Sequence, residues 1–401
     1  MPATTLHELR LASRMSRLGT ETAFEVLNRA RQLEKQGKEI IHLEIGEPDF
    51  DTPANVIEAG VDALHKGWTH YGPAAGLPDL RQTIADYVSR TRNVPVSSEE
   101  VVVVPGGKPI IFFTILALID AGDEVIYPNP GFPIYESMIN YSLGKAIPIP
   151  LREERDFSVD VKELASLITD RTKLIILNSP HNPTGGVLTR KDIFEVAEAI
   201  GDRNIFILSD EIYSRLIYDR ESDGEHFSIM SVPGFKERTI LLDGFSKTYA
   251  MTGWRLGYGV MRPDLAVHIS RLVTNSNSCT ASFTQVAGIE ALRGDQSSVE
   301  EMSAEFKRRG DAFVAGLNKI KGFSCRTPKG AFYTFPNITK TGWSSRKLAD
   351  ALLEEAGVAC LSGTAFGEYG EGYLRFSVAN SLENLNKALA RIEAWVGKNL
   401  R

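Results

Sequence analysis

The sequence predicts an α/β protein: a large domain with a mostly parallel sheet flanked by helices, plus a smaller α+β domain built from N- and C-terminal segments. Two observations carry the large domain. Between about residues 100 and 260 one grammar repeats, in which a short apolar run meets a Gly/Pro/Asn/Asp loop and then a longer helical pattern. The runs are Val101–Val104, 124–127, 174–177, 205–208 and 239–242, with 258–261 close behind. They are continuous and β-branched, as strands covered on both faces are. The helical patterns between them, such as 190–200, suit βαβ crossovers. A third observation sets the flanks apart. Residues 20–40 form an amphipathic helix with Ala23, Val26, Leu27, Ala30 and Leu33 on one side, and after about residue 300 the pattern loosens into helix, strand, helix and a closing helix over 382–396. The predicted division is an arm at 1–18, a small domain from 19–48 and 300–401, and a large ligand-binding domain at 49–299.

Composition excludes several classes. The chain has 401 residues, 43% hydrophobic and 24% charged, which are ordinary globular values and not those of a disordered tail, a collagen repeat or a coiled-coil rod. Its net charge is −6, and no concentrated basic footprint of a nucleic-acid binder stands out. The longest apolar stretch, 110–119, is broken only by Thr114. As a helix it rises ~15 Å, half of what a bilayer core needs, so it predicts a buried helix and no membrane span. Arg10, Arg14 and Arg17 precede no apolar segment of a secretory signal, while a transit-type segment stays open. Cys279, Cys325 and Cys360 are few, separated and odd in number. They offer no disulfide framework or metal-ligand spacing, and they suit a reducing cytoplasm.

Open α/β sheets bind ligands beyond the carboxyl ends of their strands. Just after the apolar runs stand Gly106-Gly107-Lys108, Asn182-Pro183-Thr184-Gly185, Asp210 with Tyr213, and Lys247. Lys247 sits in a turn of small residues, where partial desolvation lowers an amine's pKa and makes it nucleophilic; a solvated surface lysine is the competing reading. Arg255 lies among glycines and apolar residues, and its fork suits a phosphate or carboxylate as well as a structural ion pair. The double glycine can turn backbone amides toward an anion at a helix N-terminus. Asp210 is either a helix cap or the partner of a buried cationic ligand atom, with Tyr213 three residues on aimed at the same spot. Asn182 also fits simple turn chemistry.

These residues have a family likeness. Gly244-Phe245-Ser246-Lys247-x-x-Ala250-Met251-x-Gly253-x-Arg255-Leu256-Gly257 resembles the lysine signature of class I aminotransferases, the fold-type-I pyridoxal phosphate (PLP) enzymes of the aspartate aminotransferase family. Gly46-Glu47-Pro48-Asp49-Phe50, Tyr71-Gly72-Pro73-Ala74-Ala75-Gly76, Asn182-Pro183-Thr184-Gly185 and Ser209-Asp210-Glu211-Ile212-Tyr213 are family-like too, and the likeness runs from about residue 18 to the C-terminus. The resemblance implies that Lys247 is the Schiff-base lysine and that Asp210 partners the pyridinium nitrogen, keeping the ring an electron sink. It implies that Tyr213 and Asn182 donate to the ring's 3′-oxygen. It also implies that Arg255 and the amides of Gly107 and Lys108 cradle the phosphate, while Phe132 stacks on the ring. Tyr71 would reach the phosphate from a neighbouring subunit, which implies a homodimer with shared sites. Arg375, in Leu374-Arg375-Phe376-Ser377, resembles the arginine that grips the substrate α-carboxylate, with Gly46 closing over it.

Four positions depart from the family's habits. Gly106 and Gly244 stand where hydroxyl residues are frequent, which shifts phosphate binding toward Arg255, Tyr71 and backbone amides. Phe132 replaces a frequent Trp or Tyr. Lys108 is similar to a lysine that, in one bacterial branch, meets the distal carboxylate of aspartate or glutamate; a lysine that only supports the phosphate or faces solvent is the alternative. The implied function is transfer of an amino group from an L-α-amino acid, aspartate or glutamate favoured, to a 2-oxo acid by a ping-pong Schiff-base mechanism. The alternatives are a β-lyase, decarboxylase or synthase on the same platform, or an aminotransferase preferring alanine or aromatic amino acids.

Overall fold

A computed structural model describes residues 9–218 and 226–400. Its main sheet has seven strands: β2 (Val101–Val104), β3 (Glu124–Asn129), β4 (Lys145–Pro150), β5 (Thr172–Asn178), β6 (Phe206–Asp210), β7 (Thr239–Gly244) and β8 (Gly257–Val260), after a short β1 (Ile41–His42) that belongs elsewhere. Their order is β2-β8-β7-β6-β5-β3-β4, and every neighbouring pair is parallel except the two that involve β8. Strands β2, β3, β7 and β8 are buried along their whole length, in keeping with unbroken apolar runs packed from both faces.

Helices cover that sheet and extend beyond it: α1 (Thr22–Lys35), α2 (Ala54–His65), α3 (Pro78–Arg92), α4 (Lys108–Leu118), α5 (Ile134–Tyr141), α6 (Val161–Leu167), α7 (Arg190–Ile200), α8 (Pro263–Ser276), α9 (Ser282–Arg293), α10 (Ser297–Leu317), α11 (Ser345–Ala351) and α12 (Leu382–Asn399). Their starts carry local chemistry. Thr189 and Asp192 form a reciprocal capping box on α7, with bonds of 3.1 and 2.8 Å. Pro78 opens α3, where its missing N–H loses nothing, and Asn93 in left-handed conformation closes it. The apolar stretch at 110–119 is α4, buried through Ile110, Ile111, Phe113, Thr114 and Ile115. Among the described residues no helix is long and apolar enough to cross a membrane.

Strand β4 was absent from the expected runs. Its sequence, Lys-Ala-Ile-Pro-Ile-Pro, carries two prolines, which cannot donate to a ladder on both sides. They are tolerated because β4 is an edge strand whose neighbour is β3 alone. The amphipathic segment at 20–40 is helical only over Thr22–Lys35, stopping ahead of Gln36-Gly37, and α12 runs on to Asn399.

A second layer unites distant parts of the chain. β1 pairs in parallel with β10 (Val358–Ala359), while β11 (Leu361–Ser362), β12 (Leu374–Ser377) and β9 (Tyr333–Thr334) form an antiparallel sheet. Its core packs Leu43 with Phe306, Phe313, Phe332, Phe376 and Ile392. This layer faces the carboxyl rim of the main sheet, and the cavity lies between them.

Candidate active site

Topology explains why residues scattered over the sequence meet. β2 leads through Gly106-Gly107 into α4, β6 ends on Asp210, and Lys247 follows β7 by three residues. β8 runs opposite to its neighbours and pairs Gly257 with Gly244, so it begins on the rim where the others end. Arg255, just before β8, therefore lands among the strand ends. From the facing layer come Gly46 after β1, Tyr333 on β9 and Arg375 on β12. One cavity of ≈ 520 Å³ is lined by ten of the sequence-predicted residues: Gly46, Gly107, Lys108, Phe132, Asn182, Asp210, Tyr213, Lys247, Arg255 and Arg375. Tyr71 does not join them. It is 89% exposed on the surface of its own chain.

The electrostatics are uneven in a way that implies a missing partner. Asp210 is buried, and its oxygens accept from the Tyr135 hydroxyl at 2.6 Å and the Ile212 amide at 3.3 Å, both neutral donors. Burial pushes its pKa up to about 6, the two donors pushing back. Lys247 donates to the Gly46 carbonyl at 2.5 Å. Burial pulls that amine down to about 8, and Lys108, Arg375 and Arg255 pull the same way, while Glu47 opposes. Among the described residues no carboxylate forms an ion pair with Lys247, Arg255 or Arg375.

Arg375 is 4% exposed. Its Nη1 donates to Asn182 Oδ1 at 3.2 Å and its Nη2 to the Glu44 carbonyl, while Nε has no partner among the described residues. Its guanidinium carbon lies 4.5 Å from the Tyr333 ring centre and 4.9 Å from that of Phe366, so the fork is held between two aromatic rings. Arg255 spends its donors on the Thr252 and Pro105 carbonyls at 2.7 and 3.3 Å. Gly106 has φ +83°, and a Cβ there would stand 2.2 Å from Arg255 Nη2. Only glycine lets that guanidinium lie against the loop. Beside it, Gly107 and Lys108 at the start of α4 line the cavity, and their amides precede the first hydrogen bond of the helix, from the Ile110 amide to the Gly107 carbonyl at 3.0 Å.

Several contributors escaped sequence reasoning. Tyr135 supports Asp210, and Tyr333 shares a 2.7 Å hydrogen bond between its hydroxyl and that of Tyr213. Tyr333 also explains Gly46, since a Cβ at Gly46 would lie 2.0 Å from the Tyr333 oxygen. Glu21 and Phe24, at the start of α1, line the mouth. None of these four follows a main-sheet strand directly, so the strand-end rule passes over them.

A family model described as aminotransferase class I and II matches residues 38–392. The chain belongs to that family. This aminotransferase is 43% identical to an aspartate aminotransferase of Pyrococcus horikoshii over 371 residues, 92% of this chain and 93% of that protein. It is 39% identical to aromatic-amino-acid aminotransferase 2 of Thermococcus litoralis, over 88% of this chain and 91% of that one. The aspartate aminotransferase of Thermus thermophilus with maleate superposes with a TM-score of 0.92 at 35% identity, covering 96% of this chain and 100% of that one.

Aminotransferases of this family depend on PLP, and the cavity of this aminotransferase fits that group. A buried carboxylate without a cation matches a protonated ring nitrogen. An amine depressed toward neutrality matches an aldehyde, and Arg255 beside open helix amides matches a phosphate. Among the described residues no cluster of His, Cys, Asp or Glu is placed to hold a metal ion.

Proposed function

We propose that this aminotransferase takes a dicarboxylic amino acid, aspartate or glutamate, as its amino donor. The observation that carries the reading is the pairing of Arg375 and Lys108 as two cations lining one cavity. One cation meets the α-carboxylate. The other stands at the mouth, where a second carboxylate of the substrate would arrive. The relatives named for aspartate support the same choice.

The residue roles belong to the same proposal. Bound PLP supplies an aldehyde that links the amine and a ring that takes up electrons from the substrate Cα. The chain supplies the rest. Asp210 holds the ring nitrogen protonated, and Tyr135 holds Asp210. Arg255 and the amides of Gly107 and Lys108 would hold the phosphate, and Phe132 would pack against the ring. Tyr213 and Asn182 tune the ring oxygen. Arg375 orients the α-carboxylate with Gly46 alongside, and Lys247 Nζ removes the Cα proton and returns it. At a pKa of about 8, roughly a tenth of this amine is free base at neutral pH, far more than for an ordinary lysine.

The reading extends to assembly as a cytoplasmic homodimer, with 19–48 and 300–401 as a small domain against 49–299. Ile57, Val61 and Leu64 form an exposed apolar stripe on α2, continued by Trp68 and Tyr71. A second copy covering that stripe would bring Tyr71 toward its partner's phosphate site.

The substrate test is Lys108→Ala, assayed with aspartate and with alanine. The ratio of kcat/KM for aspartate over alanine falls about tenfold, the worth of one charge-assisted hydrogen bond. An unchanged ratio removes Lys108 from substrate recognition.

A further inference from the structure

Lys108 does not face the cavity alone. Its Nζ forms an ion pair with Glu21 Oε1 and lies 6.0 and 5.6 Å from the ring centres of Phe24 and Phe132. Glu21 occupies the N-cap position of α1, where a side chain usually accepts from the first helix amides. Its carboxylate makes no such bond, although Thr20 and Thr22 on either side are residue types that suit a cap. It reaches instead to a lysine 87 positions away. The Glu21 side chain is 17% exposed and that of Lys108 47%, so the carboxylate is the more deeply inserted partner. Both line the cavity that also holds Arg375.

We propose that Glu21 is an internal stand-in for the substrate's side-chain carboxylate, occupying Lys108 until a dicarboxylic substrate takes the lysine from it. The proposal rests on Lys108 being the group that reads the distal carboxylate. An ammonium between two carboxylates can favour one only at the expense of the other, so Glu21 weakens dicarboxylate binding by competition and by repulsion. An apolar amino acid makes no claim on Lys108. It leaves the Glu21–Lys108 pair closed and fits beneath it against Phe24 and Phe132. Glu21 therefore narrows the preference that Lys108 creates, and it acts as a specificity-determining residue supplied by α1.

The probe is succinate, a dicarboxylate with no amino group to transfer, titrated by calorimetry into the PLP-loaded protein. Glu21→Gln keeps the shape and removes the charge. The expected result is a Kd for succinate lowered about fivefold, the coupling of one partly exposed ion pair. The aspartate-to-alanine ratio of kcat/KM rises in step. The double variant Glu21→Gln with Lys108→Ala binds succinate more weakly than Glu21→Gln alone, because no cation is left for its distal carboxylate. Succinate binding that is unchanged or weaker in Glu21→Gln, and likewise in Glu21→Ala, overturns the proposal. Lys108→Ala alone separates the two claims. If it binds succinate as the wild type does, the reading of Lys108 fails and the stand-in fails with it. If it loses affinity while Glu21→Gln gains none, that reading stands and the stand-in alone is overturned.

Discussion

Asp210 and Lys247 line one cavity with their proton affinities displaced toward each other. The carboxylate is lifted to about 6 because the fold buries it beside neutral donors, and the amine is lowered to about 8 chiefly because it is buried. A raised carboxyl pKa has a defined sign in folding. The folded state binds the Asp210 proton more tightly than the unfolded chain, so its stabilisation is complete below about pH 4 and is lost as pH rises through about 6. In cofactor-free protein, the stability of the wild type relative to Asp210→Asn therefore falls by roughly 2 kcal/mol between pH 4 and pH 7, read from urea midpoints. In the proposed role of Asp210, bound PLP would give the carboxylate a cation and remove that loss. A flat difference in the cofactor-free pair means Asp210 is not desolvated as described. The two residues were legible in the sequence because each stands beside a buried strand end. Tyr135 and Tyr333 were not, because what marks them is a hydrogen bond to a predicted residue rather than a place in a motif.

The strand ends need bracing from behind, and α3 provides it. Its last residue, Arg92, is buried and bonds Glu211 at 2.8 Å and Asp243 at 3.1 Å, so one guanidinium ties the ends of β6 and β7 together. Those strands deliver Asp210 and Lys247. His226 lies 2.8 Å from Glu211, Ser214 donates to Asp243 at 3.1 Å, and Ser209 donates to Glu211 at 2.9 Å. Removing one partner of such a cluster strands the others. Arg92→Leu leaves two buried carboxylates without their cation and lowers the stability by about 3–5 kcal/mol, measured by urea unfolding of the cofactor-free protein. Adding Glu211→Gln and Asp243→Asn restores part of it, and a loss under 1 kcal/mol for Arg92→Leu alone contradicts the bracing role. Nothing in the sequence distinguished Arg92 from a solvated helix end, since its partners lie 119 and 151 residues away. The edge strand β4 was hidden for a different reason: its prolines are compatible with a sheet only at a border, and the border is set by topology.

At the scale of the molecule, the long apolar runs declared the main sheet, while the second layer was legible only in outline. Its strands β1, β9, β10 and β11 are two residues long, too short for any periodicity, and they exist because distant segments share the Phe306, Phe332 and Phe376 core. The proposed homodimer also belongs to this scale. Trp68→Asp places a charge on the apolar stripe, so the protein sediments as a monomer and holds PLP at least about tenfold more weakly as Tyr71 is withdrawn from the partner site. A monomer with undiminished PLP affinity removes Tyr71 from the phosphate cradle.

The proposed roles at every scale depend on one covalent attachment point for PLP, Lys247. Its assignment is tested by borohydride reduction of the PLP-loaded protein followed by peptide mapping. The predicted result is a single phosphopyridoxyl group on the peptide spanning Phe245 to Arg255, located at Lys247 and absent from Lys247→Ala. A label on another lysine, or full transamination by Lys247→Ala, would contradict it.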